Sequence, residues 1–139
     1  MIPAEFRYER VSTIDEALAR LASLGDEAKV LAGGHSLLPL MKLRLAAPEY
    51  LVDIGPVDEL RYVRLDGAEV VIGALSRYSD LSRDPVLLEH APLLAHVSAS
   101  VGDRQVRHRG TIGGSLVHAD SAADLPAAVL ASDAVLVAR

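Results

Sequence analysis

The sequence predicts a mixed fold of helices and strands laid out in two parts, and three observations carry this reading. Residues 1–55 alternate strand and helix signals as a small β-α-β-α-β unit. Residues 56–139 open on a hairpin signal and continue as helical runs. Half of the 139 residues are hydrophobic and 24% are charged, a balance that supports a packed core rather than disorder.

In the first part, Ser12-Thr13-Ile14-Asp15-Glu16 opens a helix. Ser12 or Thr13 supplies the cap, and Thr13 with Glu16 has capping-box spacing. Ile14, Ala17, Leu18, Leu21 and Leu24 make one apolar stripe, and Gly25 stops the helix. Lys29–Ala32 reads as a short buried strand that runs into Gly33-Gly34-His35-Ser36, after which Leu37–Leu43 resumes helical spacing. Leu51–Ile54 is a further strand, closed by Gly55-Pro56.

The second part begins with strand-like runs Leu60–Leu65 and Glu69–Ala74, joined at Asp66-Gly67, a strong hairpin signal. Tyr78–Leu88 and Pro92–Val101 read as helices, each apolar on one side. Residues 102–122 are rich in Gly, Arg and His and lack clean periodicity. Arg104, Arg107 and Arg109 are spaced there as on one face of a strand, more in keeping with a solvated or subunit-facing edge than with phosphate ligands, although one of them is available to neutralise a diphosphate. Ala127–Ala131 supports one more helix with Pro126 in its first turn, and Ala134–Ala138 is a strand. A sequence that stops one residue past such a strand, with no polar tail, is expected to be part of a longer polypeptide.

Composition excludes several functions. Lys and Arg number 14 against 19 Asp and Glu, a formal charge of −5 that argues against a protein built to grip nucleic acid or anionic lipid. Cysteine is absent, which removes disulfides, thiolate zinc sites, cysteine-held iron–sulfur clusters and a cysteine nucleophile from this chain. Without Trp and with one Phe, base-stacking surfaces are not expected. No apolar run approaches the roughly 20 residues of a membrane-spanning helix. The start, Met1 to Arg10, lacks a secretory core, so a cytoplasmic location is expected.

Two glycine loops carry the chemistry. Gly33-Gly34-His35-Ser36 lies between a strand and a helix, where glycine lets the backbone turn sharply and approach a ligand. Ser36 is placed to cap the following helix, whose amides suit a phosphate; taken alone, the loop reads more readily as a tight turn with nothing bound, because Gly-Gly after a strand is common. Gly110-Thr111-Ile112-Gly113-Gly114-Ser115 is a second loop of the same kind, and two N–H-rich loops facing each other suit a diphosphate. Asp124 supplies a carboxylate for ribose hydroxyls. Neither loop has the Rossmann or P-loop pattern. His118 and Asp120 have no third partner at metal-ligand spacing, so no metal site is expected. His35 is read as a loop side chain donating to a backbone carbonyl rather than as a catalytic acid, and Tyr62 and Tyr78 are too isolated to interpret.

Ala32-Gly33-Gly34-His35-Ser36-Leu37-Leu38-Pro39, with Met41-Lys42-Leu43-Arg44, Pro48 and Asp53, resembles the FAD-binding medium subunit of molybdenum hydroxylases of the carbon monoxide dehydrogenase and xanthine dehydrogenase type. Arg109 to Asp120 followed by Ala123-Asp124-Leu125-Pro126 resembles that family's second flavin loop, and Phe6-x-Tyr8 and Ile72-Gly73-Ala74 also fit. The resemblance implies an α+β fold of two subdomains, shared with vanillyl-alcohol oxidase relatives and incomplete here: subdomain 1 over 1–55 and subdomain 2 over 56–139.

It also implies FAD as cofactor, with Ala32, Gly33, Gly34, His35 and Ser36 wrapping the diphosphate through backbone N–H groups. Thr111, Ile112, Gly113, Gly114 and Ser115 would contact the diphosphate and adjoining flavin, Asp124 the ribose, and Gly102 and Gly110 would let the chain pass close to the cofactor. No catalytic residue is implied. The implied role is electron transfer: FAD takes electrons from [2Fe-2S] clusters on a small subunit, fed by a molybdenum cofactor on a large subunit, and passes them to an external acceptor. The implied assembly is a dimer of heterotrimers, and the Ala-Gly-Gly-His-Ser form leans towards carbon monoxide or aldehyde oxidation. The alternatives are a structural or assembly module with weak or no flavin binding and, last, a self-contained flavin oxidase or reductase.

Overall fold

The computed structural model describes residues 1–139. Its first part is a three-stranded parallel sheet. Strand β1 (Arg7–Arg10) and strand β2 (Ala28–Leu31) flank the central β3 (Tyr50–Asp53), with Arg10 and Leu31 both in register with Asp53. Helix α1 (Ile14–Leu24) links β1 to β2, and α2 (Leu37–Lys42) links β2 to β3. Thr13 caps α1 by accepting from the Glu16 N–H at 3.1 Å, while the Glu16 carboxylate reaches back to the Ser12 N–H at 2.8 Å. The reciprocal box is therefore spread over Ser12 and Thr13, with both residues used.

The central strand is fully buried at Leu51 and Val52. Around it Val11, Ala17 and Ala28 form a first core, which also recruits Val57 and Leu75 from the second part. That part opens on the hairpin β4 (Val63–Asp66) and β5 (Glu69–Ile72), turned by Gly67 at φ 61°. Helices α3 (Tyr78–Leu81), α4 (Pro85–His90), α5 (Pro92–Ser100), α6 (Arg104–Arg109), α7 (Ile112–His118) and α8 (Asp124–Ala131) follow. Their second core holds Tyr78, Leu81, Leu87, Leu94, Ile112 and Leu125. Burying each of the leucines contributes about 1.5–3 kcal/mol.

Three sequence expectations are corrected. Tyr78–Leu88 is two helices, because Asp84 accepts from the Val86 and Leu87 N–H groups and starts α4 afresh ahead of Pro85. Residues 102–122 hold two helices, so Arg104, Arg107 and Arg109 sit on a helix and not on a strand face. Asp103 caps α6 through the Val106 N–H, and Arg107 donates to the carbonyls of Val101 and Gly102 rather than facing solvent unpaired. Residues 134–138 form no strand: no neighbouring strand lies beside them to pair their backbone, and Val135, Leu136 and Val137 stand exposed.

Candidate functional site

The carboxyl ends of three parallel strands meet at Arg10, Leu31 and Asp53, the position where sheets of this kind hold ligands. The turn after β2 begins with Ala32, part-buried against the first core, and continues through Gly33. Gly33 is one of the places where the two parts of the molecule touch, besides the packing of Val57 and Leu75 in the first core. A Cβ there would lie 2.3 Å from the Arg109 carbonyl oxygen and 3.0 Å from the Gly110 Cα, so only glycine admits the contact. Gly34 then takes φ 79°, a left-handed conformation that glycine adopts without strain. The two glycine motifs, distant in sequence, are neighbours in space.

What each loop offers differs. The N–H groups of Gly33, Gly34, His35 and Ser36 donate to no protein acceptor, although Leu38 and Leu40 N–H bond back to the Gly34 and Ser36 carbonyls. Ser36 makes no capping bond, contrary to the sequence expectation, because its backbone is already helical at φ −103°, ψ −50° and not extended as a capping residue is. His35 donates to no carbonyl either; the turn carries its ring outward, where it is exposed on the wall of a groove.

The second motif is not the open N–H-rich loop that the sequence suggests. It is a corner followed by the first turn of α7, and its amides are used inside the fold. Ile112 N–H bonds the Ser76 carbonyl at 3.1 Å, Gly113 N–H the Ala74 carbonyl at 2.9 Å, and Ser115 N–H the Thr111 carbonyl at 3.1 Å. Gly114 N–H is capped by the Thr111 hydroxyl at 3.2 Å. Ile112 is buried in the second core, and a Cβ on Gly113 would meet Ala74 at 2.6 Å. Of the motif's amides from Thr111 to Ser115, the Thr111 N–H alone stays unpaired, while the Ser115 side chain lines a groove beside Tyr78.

Gly110 has a packing reason of its own, since a Cβ there would enter the Tyr78 ring at 2.4 Å. Tyr78, unreadable in the sequence, is thus an anchor: its N–H donates to the Gly110 carbonyl at 3.1 Å, and burial pushes its phenol above the ordinary value of 10. Gly102 turns the chain at φ 47° ahead of α6. Asp124 is exposed as the first residue of α8, with its carboxylate free of protein partners and close in sequence to the groove-lining Asp120 and Ala123.

Two grooves flank the Gly33 contact. One, of about 170 Å³, is lined by His35, Ser36, Tyr78, Val106, Ser115 and Asp120. The other, of about 120 Å³, is polar and lined by Gly33, Thr111, Asp53 and the arginines 10, 61, 77 and 109. Each is smaller than the roughly 300 Å³ at which pockets for whole small molecules begin. The Tyr8 phenol donates to the Asp53 carboxylate, which raises that phenol above 10. Sequence reasoning passed over Arg10, Arg61 and Arg77 because they lie far apart in the chain and follow no motif.

Four consecutive unpaired amides at a corner that no Cβ can fill, next to the unpaired Thr111 amide, fit the oxygens of a diphosphate. This two-part α+β fold, with an amide cradle where its parts meet, is that of a domain holding a phosphorylated cofactor. The chain belongs to the family described as FAD binding domain in molybdopterin dehydrogenase, whose model matches residues 4–139.

Among curated relatives, the carbon monoxide dehydrogenase medium chain of Hydrogenophaga pseudoflava is 48% identical over 99% of this chain and 48% of its own length. The glyceraldehyde dehydrogenase medium chain of Sulfolobus acidocaldarius is 42% identical over 99% of this chain and 48% of its own. A solved carbon monoxide dehydrogenase of Hydrogenophaga pseudoflava, lacking the Mo-pyranopterin moiety, superposes with a TM-score of 0.89 at 50% identity, covering 91% of this chain and 44% of that one. Quinoline 2-oxidoreductase of Pseudomonas putida 86 gives 0.87 at 37% identity over the same shares. The chain spans about half the length of the curated relatives it matches. No helix is long and apolar enough to cross a membrane.

Proposed function

We propose that this chain is the FAD-binding part of the medium subunit of a cytoplasmic molybdenum-dependent dehydrogenase. In this reading it works with an iron–sulfur small subunit and a molybdenum large subunit in a dimer of heterotrimers. When bound, FAD supplies the redox chemistry, accepting electrons from the clusters and yielding them to an external acceptor; the chain's own residues bind, orient and shield it. The observation that carries the reading is the seating of Gly33 on the Arg109 carbonyl, which sets the unpaired amides of 33–36 beside Thr111 and Ser115.

In this assignment the amides of Gly33, Gly34, His35 and Ser36, with the Thr111 amide, hold the diphosphate. Ala32 fixes the start of the turn, and Ser115 and the Asp124 carboxylate serve the neighbouring sugar. Ile112, Gly113, Gly114, Gly110 and Gly102 shape the walls without donating to the ligand, because their N–H groups are bonded inside the fold or their role is steric. The division into subdomains at 55/56 is supported by the two separate cores, with Val57 and Leu75 tying the second part to the first. Relatives of 42–48% identity bear names with carbon monoxide, 6-hydroxypseudooxynicotine and glyceraldehyde, which supports placing substrate choice on the large subunit.

Native purification of the complex containing the full-length subunit tests this. A yellow preparation with a flavin spectrum that releases FAD on denaturation supports the assignment. A folded full-length subunit that carries and takes up no FAD overturns it and leaves the assembly-module reading in its place.

A further inference from the structure

The second groove is lined by four arginines in a chain whose formal charge is −5. Only the Asp53 carboxylate lines the groove with them, and it is engaged with Tyr8, Arg10 and the Gly55 N–H. Arg61 is also committed, to Asp58 and to the Gly55 carbonyl. Arg77 and Arg109 form no ion pair and no side-chain hydrogen bond. Their positions are nonetheless fixed by backbone: Arg77 bridges Thr111 in antiparallel fashion, and the Arg109 carbonyl abuts Gly33. Two arginines without an ion-pair partner therefore line the same groove as the unpaired amides of Gly33 and Thr111. Like charges brought together repel, and a bound anion removes the repulsion.

We infer that Arg77 and Arg109 are the charge partners of the bound dinucleotide's diphosphate, making the arginine groove a phosphate-recognition site that selects phosphorylated flavins over the unphosphorylated ring system. This rests on the flavin reading above and adds to it two side chains that backbone cradling alone does not require. The two grooves divide the work: amides give the diphosphate its geometry, and the guanidinium pair neutralises its two negative charges.

The test is FAD titration of the full-length subunit, followed by flavin fluorescence at several salt concentrations, for wild type, Arg77→Gln, Arg109→Gln and the double variant. Lys29→Gln, an exposed cation on β2, is the control. Each groove substitution is expected to weaken FAD about tenfold and to flatten the salt dependence, with the control unchanged. Arg77→Lys is expected to restore part of the loss, which a purely structural role for the fork would not allow.

Wild type that binds FAD, with both Gln variants equal to it in affinity and salt slope, overturns the arginine assignment and leaves the flavin reading intact. Thermal shift with inorganic pyrophosphate separates the two ideas from the other side. A wild type stabilised by pyrophosphate but not by FAD, with the effect lost in the double variant, keeps the anion groove and removes the flavin reading. No stabilisation by either overturns both. Because thermal shift reports folding directly, a variant that fails to fold is recognised, and Arg77→Lys then carries the comparison.

Discussion

Replacing Gly33 by alanine probes the joint on which the site depends. The added Cβ would stand 2.3 Å from the Arg109 carbonyl oxygen and 3.0 Å from two further backbone atoms, where ordinary contact begins at 3.4 Å. Relief requires the β2–α2 turn and the 109–111 corner to part by about 1 Å, and neither partner is a flexible side-chain tip. Overpacking of this kind costs about 1–3 kcal/mol. For a domain of this size about 2 kcal/mol corresponds to a fall in Tm of about 5–10 °C. A shift of about 1 Å also carries the amides beyond hydrogen-bond reach of a ligand anchored on the far side, and losing one charge-assisted bond weakens FAD about 10–100-fold.

The assay pairs thermal melting by circular dichroism with flavin fluorescence titration on the same samples. Gly67→Ala is the reference: Gly67 has a positive φ, 61°, but no atom stands within 4 Å of the added Cβ, so it separates backbone strain from the steric clash at Gly33. It should cost about 1 kcal/mol of backbone strain and leave FAD affinity untouched. If Gly33→Ala melts with the wild type and binds FAD equally well, the joint is not as described and the reasoning is refuted.

Other consequences are open to measurement. Asp84→Ala removes the acceptor of two amides at the start of α4 and should lower stability by about 1 kcal/mol in denaturant titration, with no change in flavin binding. The Arg20 guanidinium, bonded to Glu9, holds that carboxyl below its ordinary 4.5. A depressed folded value means that the pair stabilises above the unfolded pKa and that its contribution disappears as pH falls through the folded one. Tm curves of wild type and Glu9→Gln should therefore run apart above about pH 5 and converge in more acidic solution; parallel curves throughout would exclude the pair. Asp124→Asn should weaken FAD several-fold while shifting Tm only slightly, because the exposed carboxylate contributes at most about 1 kcal/mol to the α8 dipole.

The β-α-β-α-β half was legible because its signals are local and repeated: the stripe from Ile14 to Leu24, the box at Ser12–Glu16, and strand runs that end on glycine. The hairpin at Asp66-Gly67 was legible for the same reason. Helices α6 and α7 were not. The first is Arg-Gln-Val-Arg-His-Arg, with Val106 as its only apolar residue, and the second places two glycines in its first turn, where helix propensity is poor. Asp103 and Thr111 as caps were the available signal. Strand 134–138 was over-read because apolar β-branched residues mark a strand only when a neighbour supplies its hydrogen bonds. The arginine groove was illegible in principle, since its members come from β1, the turn after β3, the approach to α3 and the end of α6, and only the three-dimensional fold assembles them.

The atom facing Gly33 is a carbonyl oxygen, which every amino acid at position 109 would present in the same place. Exchange of the partner side chain therefore cannot make room for a larger residue at 33, and no suppressor confined to that partner should be recoverable. A glycine fingerprint that is commonly credited to the ligand alone also records here a mechanical seam, one that would constrain the chain even if the cofactor were exchanged for another.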